Sequence, residues 1–126
     1  EQGLPRAQCC LGYCTEKGIG TEADPAAAAE WYRRSAEGGY SRGMYNYACC
    51  FENGTGVKKD LPLAQQWYER AAKEGLPDAM YELGVWYEDG RCGPKDAAQA
   101  LAWYKKAAEA GHDRARKAVE RMEKLV

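Results

Sequence analysis

Residues 65–79 read "QQWYERAAKEGLPDA", and the same pattern stands at 29–43, "AEWYRRSAEGGYSRG", and at 101–115, "LAWYKKAAEAGHDRA". Trp31, Trp67 and Trp103 are 36 residues apart, and Tyr32, Tyr68 and Tyr104 keep that step. So do Ala36, Ala72 and Ala108, then Gly39, Gly75 and Gly111, then Asp24, Asp60 and Asp96, with no insertion between copies. A catalytic motif occurs once per active site, whereas a pattern written three times at fixed spacing is architecture. Self-similarity at this period marks stacked repeats, none of which has enough apolar face to fold alone.

Each copy reads as two helices. In "DAMYELGVWYEDG" (78–90) the residues Ala79, Leu83, Val85, Trp86 and Tyr87 lie close together with no internal proline. Asp78, after Pro77, is the expected N-cap and Gly90 the stop. The turns "NGTGV" (53–57) and "KGIG" (17–20) offer glycines for positive φ. Asp60, with Pro62 in the first turn, opens a second helix through Ala64, Trp67, Tyr68, Ala71 and Ala72, closed by Gly75. The expected helices are 6–17, 24–37, 42–53, 60–73, 78–89, 96–109 and 113–125, an all-α solenoid.

Composition narrows the function classes. With 126 residues, 45% hydrophobic and a formal net charge of −1, the chain reads as one domain over 1–126 with adequate core material. Binders of nucleic acid or of membrane surfaces need a basic surplus that is absent here. No apolar run reaches transmembrane length, and no signal peptide is legible.

The segments "LGYCTEKGIG" and "LGVWYEDG" and the recurring "WY-x-x-A/S-A-x-x-G" resemble Sel-one-like repeats, relatives of the tetratricopeptide fold. The resemblance covers nearly the whole chain. It implies a right-handed superhelix of helix pairs acting as a non-catalytic scaffold or adaptor. Cysteine-rich bacterial relatives have been linked to β-lactam binding, which supplies the alternative: a small-molecule binder or hydrolase using a groove pocket. The chain departs from the pattern where Ala48 stands in phase with Gly12 and Gly84. It departs again where Thr15 and Phe51 replace the Tyr87-type aromatic, and where "GRCG" (90–93) interrupts the G-x-G turn.

Glu1-Gln2-Gly3 falls in phase with Glu37-Gly38-Gly39, which is read as the end of a preceding second helix in a longer array. At the other end, Ala115, Ala118, Val119, Met122 and Leu125 form one helical stripe on an otherwise charged segment. That is the pattern of a capping helix, 113–125. Near the N-terminus, Leu4, Ala7, Leu11 and Cys14 form an apolar face open to self-association.

Chemistry-bearing residues are few. His112 is the one histidine, in the loop position held by Leu76 and Tyr40, with no Ser/Asp or Cys/Asp constellation near it in sequence. The G-x-G pairs follow helices and recur with the repeat, so they are turns rather than phosphate cradles. Glu16, Glu52 and Glu88 share the period and read as a surface row. Six cysteines, Cys9, Cys10, Cys14, Cys49, Cys50 and Cys92, allow a disulfide framework by count alone. In the cysteine-rich branch of the family, however, the pairing positions correspond to Ala36/Met44, Ala72/Met80 and Ala108/Arg116, and none is cysteine here. All six are expected as free thiols, with no disulfide, metal or cofactor, and Cys14 and Cys50 buried where Trp86 sits in phase. Free thiols fit a reducing compartment such as the cytoplasm.

By the tetratricopeptide arrangement, first helices line the concave face. The positions of Asp78, Tyr81, Val85 and Glu88 follow helical spacing on one side. One repeat earlier they are Arg42, Tyr45, Cys49 and Glu52, and before that Arg6, Cys9, Tyr13 and Glu16. Tyr13, Tyr45 and Tyr81 either pack against neighbouring helices or anchor an extended peptide. In the last helix the same phase gives Arg114, Lys117, Arg121 and Lys124, a basic stripe. It either solvates the cap or receives an acidic segment or free C-terminal carboxylate of a partner.

Overall fold

A computed structural model of the chain describes residues 3–20, 22–91 and 93–124. Among these are seven α-helices: α1 Gly3–Lys17, α2 Pro25–Glu37, α3 Ser41–Asn53, α4 Leu61–Lys73, α5 Pro77–Asp89, α6 Ala97–Glu109 and α7 Asp113–Lys124. The all-α repeat architecture stands, with bounds within a few residues of expectation. Cys92, Leu125 and the phase relation of Glu1 and Gln2 fall outside the described residues.

The helix ends show why the period is so regular. The carboxylates of Asp24, Asp60 and Asp96 accept from the backbone N–H groups of Ala27, Leu63 and Gln99, each at 3.1 Å. Each bond satisfies an orphan donor of a second helix. The same three aspartates donate their own N–H to the carbonyls of Thr15, Phe51 and Tyr87 at 2.9 Å, tying the start of each second helix to the end of the first. The third of these tethers is intact although "GRCG" departs from the G-x-G pattern. The first helix of the third repeat corrects one expectation. Its cap position is Leu76, Pro77 is the first helical residue, and no side chain caps it. The equivalent helices start at the same phase, at Ser41 and Asp113, so the repeat sets this start; Pro77 fits the first helical position, and the Asp78 carboxylate is free for other bonds.

Consecutive helices pack side by side: α1 on α2, α3 on α4, α5 on α6, with α2–α3, α4–α5 and α6–α7 joining the pairs. Tyr32, Tyr68 and Tyr104 are among the largest fully buried side chains. Glycine makes room for two of them. A Cβ on Gly12 would lie 2.7 Å from the Tyr32 ring, and one on Gly84 would lie 2.5 Å from the Tyr104 ring. At α2–α3 the small residues are exchanged: Ser35 faces Gly43 where the later repeats pair Ala71 with Ala79 and Ala107 with Ala115. Ser35 is fully buried, and its hydroxyl donates to the Pro5 carbonyl at 2.6 Å, which satisfies it.

Cys14 corrects a second expectation. Cys50 is buried against Cys9, Ala28, Ala29 and Tyr32 of α1 and α2, but Cys14 is only half-buried. Among the described residues no helix precedes α1 to give Cys14 the equivalent cover. For the same reason Leu4 is 64% and Leu11 46% exposed, whereas their counterparts Leu76 and Leu83 pack into the core.

Candidate functional site

The first helices α1, α3 and α5, continued in phase by α7, share a face marked by a row of depressions. One of about 210 Å³ lies between α1 and α3, with Tyr13, Glu16, Asn46 and Cys49 in its wall. A second, of about 380 Å³, is lined by Tyr45 of α3, Asp78, Tyr81 and Glu82 of α5, and His112, Asp113 and Arg114 at the start of α7. A third, of about 310 Å³, continues from it over Tyr81, Arg114, Lys117, Ala118 and Arg121. The structure therefore brings Tyr45, Tyr81, Arg114, Lys117 and Arg121 together along one groove.

A chain of polar contacts shapes the middle depression. Arg42 donates to Asp78 at 2.8 Å, and His112 Nε2 lies 3.2 Å from the other oxygen of that carboxylate. The Ala115 N–H donates to His112 Nδ1 at 3.1 Å, so the imidazole acts as the N-cap of α7 and carries its proton on Nε2 toward Asp78. The ring stacks on Tyr81, with centroids 4.8 Å apart and planes 16° apart. The Arg42 guanidinium sits over Tyr45 at 5.4 Å. His112, in the turn before α7, is thus a structural part of the groove wall.

Tyr45 sets its edge against Tyr68 and Tyr81 leans on Tyr104, at centroid distances of 5.5 and 5.6 Å, while each keeps part of its surface in the depression. Tyr13, 50% exposed, has no such neighbour.

The glutamate row is not a free surface row. Tyr32, Tyr68 and Tyr104 donate their hydroxyls to Glu16, Glu52 and Glu88 at 2.8, 2.6 and 2.7 Å. A buried phenol needs an acceptor, and the period supplies one in each repeat. Arg91 adds a bond to Glu52 at 2.5 Å, and Arg121 grips both oxygens of Glu88 at 2.5 and 2.9 Å. The Arg121 hydrogen bonds hold the Glu88 carboxyl below the ordinary glutamate range. Arg121 is thereby tied to a neighbouring helix, leaving Arg114, Lys117 and Lys124 as the other exposed cations of the stripe, of which Arg114 and Lys117 line the depressions.

Of the remaining candidates, Arg6 is exposed on α1, while Val85 packs beside Tyr104. Cys9 is buried, its sulfur accepting from Asn46 at 3.3 Å, so it does not face the groove. Cys49 lies 3.2 Å from the Tyr68 hydroxyl. Burial pushes the Cys49 thiol up to about 11 and the Cys50 thiol up to about 12, which disfavours the reactive thiolate. The five described cysteines are free. Among the described residues no three His, Cys, Asp or Glu side chains converge on a metal position.

Glu82 was not singled out from the sequence. It stands in the middle depression, half-buried, and among the described residues makes no hydrogen bond or ion pair. Burial raises its carboxyl above the ordinary glutamate value, with Glu52 and Asp78 adding to the effect. The signal was available as a departure from the repeat. Glu82 is in phase with Cys10, Asn46 and Ala118, Asp78 with Arg6, Arg42 and Arg114, and His112 with Leu4, Tyr40 and Leu76.

A family model for the Sel1 repeat matches residues 5–40, 41–76 and 77–112. The chain is 44% identical over 41 residues to chitin synthase regulatory factor 3 of Schizosaccharomyces pombe, a match covering 32% of this chain and 4% of that protein. It superposes on the crystal structure of a Sel1 repeat protein from Oxalobacter formigenes with a TM-score of 0.86. That match is 35% identical and covers 91% of this chain and 47% of the other. Helicobacter pylori cysteine rich protein B is similar at a TM-score of 0.77 and 25% identity, over 93% of this chain and 90% of that one.

Proposed function

The chain belongs to the Sel1 repeat family, and from that premise we propose that it is a non-catalytic scaffold whose first-helix groove holds an extended segment of a partner protein. The observation that carries the reading is the continuous path from the hollow walled by Tyr45 and Tyr81 to the exposed cations Arg114 and Lys117. Amphipathic rings beside charge suit a peptide, whose side-chain stems lie over the tyrosines while its polar groups stay solvated. An acidic side chain or C-terminal carboxylate of that segment lies against Arg114 and Lys117. Both depressions are open hollows, and the one histidine is held between Asp78 and the Ala115 N–H, an arrangement that fixes a wall better than it activates a nucleophile.

The test is selection of a displayed random-peptide library on the wild-type protein, followed by affinity measurements on Arg114→Glu and Lys117→Glu. Both side chains are exposed, so these variants should melt like wild type. Selected peptides are expected to weaken about tenfold with each reversal and to weaken with salt. Peptides that bind equally to all three proteins at every salt concentration would overturn the acidic docking, and failure to select any groove-dependent peptide would overturn the groove.

A further inference from the structure

We propose that the hollow between Tyr45 and Tyr81 receives a lysine or arginine side chain of the bound segment, with Glu82 as its counter-charge. The inference rests on the groove reading above and adds a specificity to it: a basic residue in this hollow, next to an acidic group at Arg114 and Lys117.

Three observations converge. The first is charge accounting. Asp78 is already engaged by Arg42 and His112, and Asp113 lies 3.9 Å from Arg116, whereas Glu82 has no partner among the described residues. Arg91, itself paired with Glu52, and Arg114 are close enough to ease its charge, but neither forms an ion pair with it. A carboxylate withdrawn from water without a partner is costly, and an arriving cation removes that cost. The second is the wall chemistry. Two tyrosine rings border the depression, and its volume of about 380 Å³ is ample for a long basic side chain. Arg42 and His112 already cover a face of each ring, so the aliphatic stem of lysine or arginine lies along the ring surface left in the depression and its charged end reaches Glu82. An acidic side chain here would confront Glu82, and an apolar one would leave that carboxylate desolvated.

The third observation is periodicity. What recurs every 36 residues serves the stacking, as the Tyr–Glu bonds do. Asp78 and Glu82 break the period at one place, and both breaks introduce acid. The groove carries Arg6, Arg42 and Arg114 at the position where it carries Asp78. Asp78 serves the stacking through Arg42 and His112, whereas Glu82 makes no such contact among the described residues.

The experiment uses the peptides selected on the wild-type protein. Each basic residue is replaced by its uncharged isostere, citrulline for arginine or norleucine for lysine, and affinities are measured on wild type and on Glu82→Gln. The Gln variant keeps the side-chain shape, and the isosteres leave the protein untouched, so a folding defect cannot imitate the result. The expected result is enrichment of Lys or Arg at one peptide position, with about tenfold weaker wild-type binding after isosteric replacement there. On Glu82→Gln that penalty largely disappears. Groove-dependent peptides with no basic preference, or a basic preference that Glu82→Gln leaves unchanged, would overturn this inference while the groove reading survives. Selection of no groove-dependent peptide would overturn both.

Discussion

Gly20 and Gly56 occupy the same place in successive repeats, with nearly the same backbone, φ +76 and φ +73. Alanine at either site forces a β-carbon into the left-handed region, which costs about 1 kcal/mol. The surroundings differ. Among the described residues, a Cβ at Gly20 meets nothing within 4 Å. At Gly56 it would lie 2.1 Å from the Pro25 carbonyl oxygen, 2.5 Å from its carbon and 2.9 Å from the Ala26 nitrogen. Those atoms are backbone at the start of α2 and have no rotamer by which to retreat, so the loop must lift off the helix. Overpacking of this kind adds roughly 1–3 kcal/mol. At about 2.1 cal/mol/K of unfolding entropy per residue, a chain of this length loses about 4 °C of melting temperature per kcal/mol. Gly20→Ala is therefore expected to melt about 4 °C below wild type and Gly56→Ala about 8–15 °C below. Thermal unfolding followed by far-ultraviolet circular dichroism measures both. Equal losses for the two variants would refute the docking of this turn on α2.

Glu82→Gln carries a prediction of definite sign. Burial raises the Glu82 carboxyl, so the folded chain holds that proton more tightly than the unfolded chain, and ionisation opposes folding as pH rises through the folded value. Without a ligand, Glu82→Gln should melt a few degrees above wild type at neutral pH, with the gain vanishing below the ordinary value of 4.5; a loss at neutral pH would show an unrecognised partner for the carboxylate. Thiol alkylation followed by mass spectrometry should label exposed Cys10 first, and buried Cys9 and Cys50 about tenfold or more slowly until denaturant is added, with half-buried Cys49 between them. A disulfide between any two of these would contradict their assignment as free.

The glycine pair shows where legibility stops. Helix positions were legible because the same local chemistry is written three times: an aspartate cap, alanines beneath a buried tyrosine, a glycine stop. Asp78 is not the cap of its helix because α3, α5 and α7 all start at one phase, at Ser41, Pro77 and Asp113, whichever residue stands there. The groove's tyrosines and basic stripe could be placed by phase, since helical spacing and the period together say which residues share a face. Phase could not say that Arg121 is occupied by Glu88, that the glutamate row accepts the tyrosine hydroxyls, or that Cys9 turns inward beneath Asn46. Each of those depends on residues 16–37 positions apart reaching one another across a helix interface.

By itself, then, the sequence determined the repeat, its helices and the face they share, because these arise from interactions within a few residues multiplied by the period. Only the tertiary structure decided which charges on that face are spent and which are free. Asp78, bound by Arg42 and His112, and Glu82, bound by neither, are four residues apart on one helix, and what separates them is which neighbouring helix comes within hydrogen-bond reach.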